Sequence, residues 1–135
     1  MYWLLFKYQR NYDLPFSREE IYNRCLNWLN TPSAKLSKQD IYNDLVKKLL
    51  SAVLKVKIDS SEIVLYSEFK LTIECLDQKY RVIVEDFTFS YYDTDVLRTI
   101  RFKMESEDEW NLIKPYILKI LEHLLKFATG ELESG

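Results

Sequence analysis

The stretch Phe69-Lys70-Leu71-Thr72-Ile73-Glu74-Cys75-Leu76-Asp77-Gln78-Lys79-Tyr80-Arg81-Val82-Ile83-Val84-Glu85-Asp86-Phe87 decides the fold. Phe69, Leu71, Ile73 and Cys75 alternate with Lys70, Thr72 and Glu74, and Tyr80, Val82 and Val84 alternate with Arg81, Ile83 and Glu85. A period of two is the mark of a strand with one buried face. With Cys75 opposite Tyr80, Ile73 meets Val82 and Leu71 meets Val84 on the core face. Glu74 then meets Arg81 and Lys70 meets Glu85 on the outer face, each opposite-charge pair being worth roughly 0.2–1 kcal/mol. A slip of one residue would mix the two faces, so the pattern selects this register. The turn is centred on Asp77-Gln78. Asp tolerates positive φ, but Gln suits a two-residue primed turn poorly. A four-residue loop, Leu76 to Lys79, keeps the same register.

Beyond Val84 the alternation changes phase. Phe87, Phe89 and Tyr91 share a face with Val82 and Val84 only if one extra residue intervenes, which predicts a β-bulge near Glu85-Asp86. Residues 96–104 read as the last strand, with Val96, Arg98, Ile100, Phe102 and Met104 alternating against Leu97, Thr99, Arg101 and Lys103. A final helix follows. Ser106 and Glu109 match a capping box, Ile113, Ile117, Ile120, Leu121, Leu124 and Phe127 form an apolar stripe, and Gly130 suits the position just past the helix end. Pro115 predicts either a kink or a helix that begins near Lys114.

On the N-terminal side, residues 2–8 read as a strand and 18–29 as a helix. Ser17 and Glu20 match a capping box, with Phe16 and Ile21 as its hydrophobic staple. Ile21, Cys25, Trp28 and Leu29 form one stripe, and Pro32 stops the helix near Asn30. Residues 36–58 carry two signals. Ser37 with Asp40, followed by Ile41, Leu45, Leu49 and Val53, favours a helix over 38–54. The alternation from Val53 to Ile58, with Asn43-Asp44 as a turn, favours two strands.

The 135 residues are the size of one domain, 1–135. Apolar residues make up 47% and charged residues 30%, far from a disordered composition. The ten Tyr, seven Phe and three Trp suit half-buried sheet faces. Two glycines leave no room for a phosphate loop, a dinucleotide fingerprint or a nucleophile elbow. Net charge is −2 with no conspicuous basic run, which argues against nucleic acid. The apolar run Tyr2-Trp3-Leu4-Leu5-Phe6 is too short for a transmembrane segment or a signal core. Cys25 and Cys75 make neither a disulfide framework nor a ligand cluster.

Two of these stretches resemble a bacterial domain family of unknown function, frequent in Bacteroides-like bacteria, with a TATA-binding-protein-like fold. Residues 17–28, from Ser17 through Glu20, Tyr22 and Cys25 to Trp28, are similar to its Ser-x-x-Glu-Leu-Tyr-x-x-Ala-x-x-Trp helix. Residues 69–87 are similar to its strand, Asp-Gly turn and Lys-Tyr-Arg strand. Gln78 replaces the usual turn glycine, and the glycine usual in the middle region is absent where Asp44 or Lys47 stands. The resemblance covers roughly residues 3–90. It implies an α+β fold, a curved antiparallel sheet of five to six strands with an N-terminal and a long C-terminal helix on one face, and it favours two strands over 36–58. It also implies export to the periplasm or cell envelope if a signal was removed. It implies no activity, and the fold's name does not imply DNA binding.

No residue set reads as catalytic, metal-ligating or cofactor-binding. His123, the single histidine, lies in the last turns of the final helix with no partner legible, so a structural or surface role is expected. Cys25 and Cys75 are expected as packed thiols, with a disulfide as the alternative for an exported chain. Glu85 and Asp86, with Asp93 and Asp95, lack the spacing of a metal site. Phe87 and Phe89 are expected in the core, and Tyr91 with Tyr92 as an interaction surface. The expected function is a non-enzymatic binding or interaction domain, its partner a protein or a second copy of the chain. The alternative is a small-molecule carrier or enzyme with an apolar pocket between the C-terminal helix and the sheet, for which Tyr80, Tyr91, Tyr116 and His123 are the polar candidates.

Overall fold

The computed structural model describes residues 6–59 and 64–131. Its central hairpin joins β4 (Leu65–Leu76) to β5 (Lys79–Asp93), and Cys75 faces Tyr80, Ile73 faces Val82 and Leu71 faces Val84, as the alternation predicts. Arg81 and Glu74 form a 3.9 Å ion pair across the strands, while Lys70 stands opposite Glu85 without one. The turn is tighter than a four-residue loop. Leu76 pairs with Lys79, and Gln78 takes the left-handed conformation at φ 61°. Two bonds hold it there. The Gln78 N–H donates to the Phe16 carbonyl and the Leu14 N–H donates to the Gln78 carbonyl, both at 3.0 Å.

The predicted bulge is present. Pairing shifts between Lys70↔Glu85 and Glu68↔Thr88, and Asp86 lies at φ 59°. The shift turns Phe87 and Phe89 into the core, where Phe87 packs at 5.7 Å from Phe69.

Residues 36–58 form two strands, β2 (Leu36–Asp44) and β3 (Leu49–Ile58), not a helix. Asp44 Oδ1 accepts from the N–H groups of Val46 and Lys47, and Lys48 at φ 54° closes the turn. The turn that follows β5 repeats this chemistry, with Asp93 accepting from Asp95 N–H and Leu97 at φ 55°. β2 also carries a bulge with Asp40 at φ 50°. Asp is among the few L-residues that adopt this region at small cost.

β1 is Lys7–Asp13, later than the predicted 2–8, of which residues 2–5 lie outside the described residues. Its pairing with β5, from Lys7↔Glu85 to Asp13↔Lys79, sets the position and turns Tyr8 and Tyr12 inward. A polar strand signalled by two tyrosines is weaker in the sequence than the apolar run before it. β6 is Arg98–Lys103, shorter than the predicted 96–104 because residues 94–97 make the turn. Strand order is β1-β5-β4-β3-β2, with β6 pairing the other half of β5 beyond β1.

Two helices cover one face of this curved antiparallel sheet. In α1 (Arg18–Asn30), Ser17 accepts from the Glu20 N–H. The capping box is only half made there, because the Glu20 carboxylate pairs with Arg24 at 3.0 Å instead. Arg24 in turn lies 3.9 Å over the Phe16 ring. α2 (Glu107–Thr129) has the complete box at Ser106 and Glu109 and runs through Pro115 rather than starting near Lys114. It ends in a Schellman motif: Gly130 at φ 89° donates to Phe127, and Glu131 donates to Lys126. Ile21, Cys25 and Trp28 of α1 and Ile113, Ile117, Leu121 and Leu124 of α2 are all buried in the layer above Leu54, Leu71 and Val82.

Candidate functional site

Pro32 ends α1, and its last turn contains no basic residue to complement the exposed carbonyls. Lys38, from the first residues of β2, supplies that charge. Its Nζ donates to the carbonyls of Trp28 at 2.7 Å and Thr31 at 2.8 Å, and lies 4.1 Å above the Trp28 ring. Burial lowers its ammonium to about 8.

Trp28 is 1% exposed, and its indole Nε1–H donates to Nδ1 of His123 at 3.0 Å. That bond fixes the imidazole: Nδ1 is the acceptor, so in the neutral ring the proton sits on Nε2. Tyr116, Lys119, Ile120 and His123 follow at i, i+3, i+4 and i+7, one face of α2. The Tyr116 hydroxyl accepts from the Asp59 N–H at 2.9 Å, joining α2 to the end of β3.

Between this face of α2, the end of β3 and the α1–β2 loop lies a groove of about 1160 Å³. Trp28 and Lys38 line it, and Tyr66, with Lys55 4.9 Å over its ring, reaches it from the sheet face away from the helices. Its charged lining among the described residues is Lys35, Lys38, Lys55, Lys57 and Lys119 against Asp59. None of these lysines forms an ion pair with another described residue. Its described hydrogen-bonding side chains are therefore chiefly donors.

Of the sequence candidates, Tyr116 and His123 meet at this groove, while Tyr80 and Tyr91 do not. Tyr80 is buried in the core beside Cys25 and Cys75, and its hydroxyl has no partner among the described residues. Burial drives its ionisation far upward. The two cysteines are free and fully buried, and the Cys25 thiol is held strongly protonated by its contact with Cys75 and by burial. Tyr91 is half-buried against Phe102, and Tyr92 is 56% exposed. Among the described residues, no group of three or more His, Cys, Asp or Glu gathers around Glu85, Asp86, Asp93 and Asp95 or elsewhere. The basic patch was not visible as a run in the sequence, because its lysines come from a loop, two strands and a helix.

Residues 8–90 match the family described as a domain of unknown function (DUF4468) with TBP-like fold. The chain belongs to that family. Among solved structures, a TBP-like protein from Parabacteroides distasonis superposes with a TM-score of 0.75 at 14% identity, over 92% of each chain. A DUF4468 family protein from Bacteroides ovatus gives 0.64 at 15% identity, over 95% of this chain and 87% of that one. At such identities the likeness shows the shared fold alone. No curated protein matches the sequence. No helix among the described residues is long and apolar enough to cross a membrane.

Proposed function

We propose that this DUF4468 domain is a non-enzymatic binding module and that its ligand seats in the groove between α2, the end of β3 and the α1–β2 loop. The groove itself carries the reading: it is about 1160 Å³, walled by Trp28, Tyr66 and Tyr116, and rich in unpaired donors. Ligand sites are clefts of roughly this size or smaller, with a few placed polar groups. It differs from an apolar pocket in its lysines.

The arrangement supports binding over catalysis. His123 accepts the Trp28 N–H on Nδ1, so no free lone pair faces the groove while Nε2 holds the proton. Two of the three Lys38 N–H groups are committed to carbonyls. The two thiols, Cys25 and Cys75, are buried in the core and do not line the groove.

Native mass spectrometry of protein isolated without denaturation tests this. A non-covalent adduct of small-molecule mass, lost in Lys57→Glu/Lys119→Glu, is expected. An adduct that survives this pair of changes would place the ligand elsewhere.

A second reading, an interaction with protein, rests on the β2–β3 turn, where Tyr42, Leu45 and Val46 are 55%, 63% and 86% exposed. Tyr92, Val96 and Leu97 form a similar apolar tip on the β5–β6 turn. A clean apo dimer that Val46→Glu dissociates would favour it.

A further inference from the structure

We infer that the groove's ligand is a small molecule bearing an oxyanion, a phosphate or a carboxylate, and that Lys119, His123 and Lys38 around Trp28 hold it. This rests on the binding reading above and adds the ligand's chemistry.

The argument is one of donors and acceptors. Trp28 organises the cluster from both sides. Its carbonyl and ring face hold Lys38, and its indole N–H holds His123. Lys38 has a third N–H beyond the two given to Trp28 and Thr31. His123 keeps Nε2–H, because Nδ1 must accept. Lys119 lies one turn before His123 on the same helix face, close enough for both to reach one group. Farther along, the Tyr116 oxygen accepts from Asp59 N–H, which leaves its own O–H to donate.

Every one of these groups offers hydrogen to a ligand. The one carboxylate among the described lining residues, Asp59, is at the Tyr116 end, away from Trp28. A ligand rich in acceptors matches such a wall, and charge-assisted bonds to it are the strong kind. The α1 carbonyls offset part of the Lys38 charge, but Lys35, Lys55, Lys57 and Lys119 have no such partner among the described residues. The domain is acidic overall at −2, so the positive groove is a local feature that would draw an anion to this face. Ile120 and the Tyr116 ring, on the same face of α2, give the rest of the ligand an apolar bed.

The test is an NMR titration read at the Trp28 indole N–H and along Tyr116–His123. The probes are phenyl phosphate, benzoate and inorganic phosphate, with benzyl alcohol as the neutral match. We expect saturable shifts with phenyl phosphate and benzoate, at least tenfold weaker binding of benzyl alcohol, and weakening of the anions in added salt. Lys119→Glu should weaken anion binding about tenfold or more, whereas Lys103→Glu, an equal charge change on β6 outside the groove, should not. Inorganic phosphate alone should bind more weakly than phenyl phosphate, since it lacks the apolar body. Equal binding of benzyl alcohol would overturn the oxyanion assignment while leaving the binding reading intact. No shift with any probe would overturn both. Tighter binding of a single-stranded oligonucleotide, or of phosphatidylglycerol vesicles, than of phenyl phosphate would overturn the small-molecule assignment.

Discussion

The indole N–H of Trp28 donates to Nδ1 of His123 at 3.0 Å, joining two helices across 95 residues of sequence. Trp28 is otherwise sealed in the core, so this donor depends on one acceptor. His123→Leu therefore leaves it unpaired, and the expected loss of stability is about 1–3 kcal/mol. In the same background Trp28→Phe, which removes the N–H, should cost about 1 kcal/mol less than it does in the wild type. A urea-denaturation double-mutant cycle measures that coupling. Strictly additive effects would show that the bond contributes nothing.

The β4–β5 turn contains an avoidable strain. Gln78 sits at φ 61°, pinned by backbone bonds to Leu14 and Phe16. A left-handed residue with a Cβ costs roughly 1–2 kcal/mol, and glycine avoids this at an entropic penalty of about 0.5–1 kcal/mol. Gln78→Gly should therefore stabilise the domain by about 0.5–1 kcal/mol. Its urea midpoint should rise with an unchanged slope. A fall in the midpoint would mean that the Gln78 side chain contributes more than its backbone costs.

Much of the fold was legible because its signals were local and redundant. In β4 and β5 the apolar period and the Glu74–Arg81 charge pair demand one register, and that register is observed. In α2 the capping box, stripe and Gly130 stop agree with one another. Residues 36–58 were ambiguous for a physical reason. Ile41 and Leu45 mimic a helical stripe with Leu49 and Val53, yet both stand exposed, at the β2 bulge and in the turn. The family resemblance, not the spacing, pointed to strands there. The groove was illegible. Lys35, Lys55 and Lys119 are scattered in sequence and converge only through the pairing of β2 with β3 and the packing of α2 beside them. Tyr116 and His123 stood among four scattered polar candidates, and nothing in the sequence brought the two together or linked His123 to Trp28.

Cys25 and Cys75 are both free, fully buried and in contact, and their contact and burial hold the Cys25 thiol protonated. A protonated thiol is a poor nucleophile. The native protein should therefore show no reaction with a thiol reagent on a timescale where the urea-unfolded chain reacts at two sites. Intact mass should be equal before and after reduction. A difference of two hydrogens would instead identify a disulfide between α1 and β4. Cys75→Ala should cost about 1 kcal/mol or more, the scale of one buried methylene and the cavity it leaves.

Lys38 gives the domain a pH dependence whose sign can be worked out. Burial lowers its folded-state value to about 8 from the ordinary 10.5. Between those two values the unfolded chain holds a proton that the folded protein has released. The unfolded state then binds more protons, so this residue's contribution to stability rises with pH across that window and is lost again as pH falls through about 8. The comparison with Lys38→Met isolates the effect, because the substitution removes the titrating group and keeps most of its apolar stem over Trp28. Urea denaturation at pH 7 and pH 9.5 should show the wild type gaining stability relative to Lys38→Met, and the methyl resonance of dimethylated Lys38 should titrate below those of the exposed lysines. A constant difference between the two proteins would mean that the Trp28 and Thr31 carbonyls keep the proton on Lys38 through this range. If the rise is found, loss of this charge above pH 8 should also weaken phenyl phosphate in the groove, and the Trp28 indole titration repeated at pH 9.5 reads that directly.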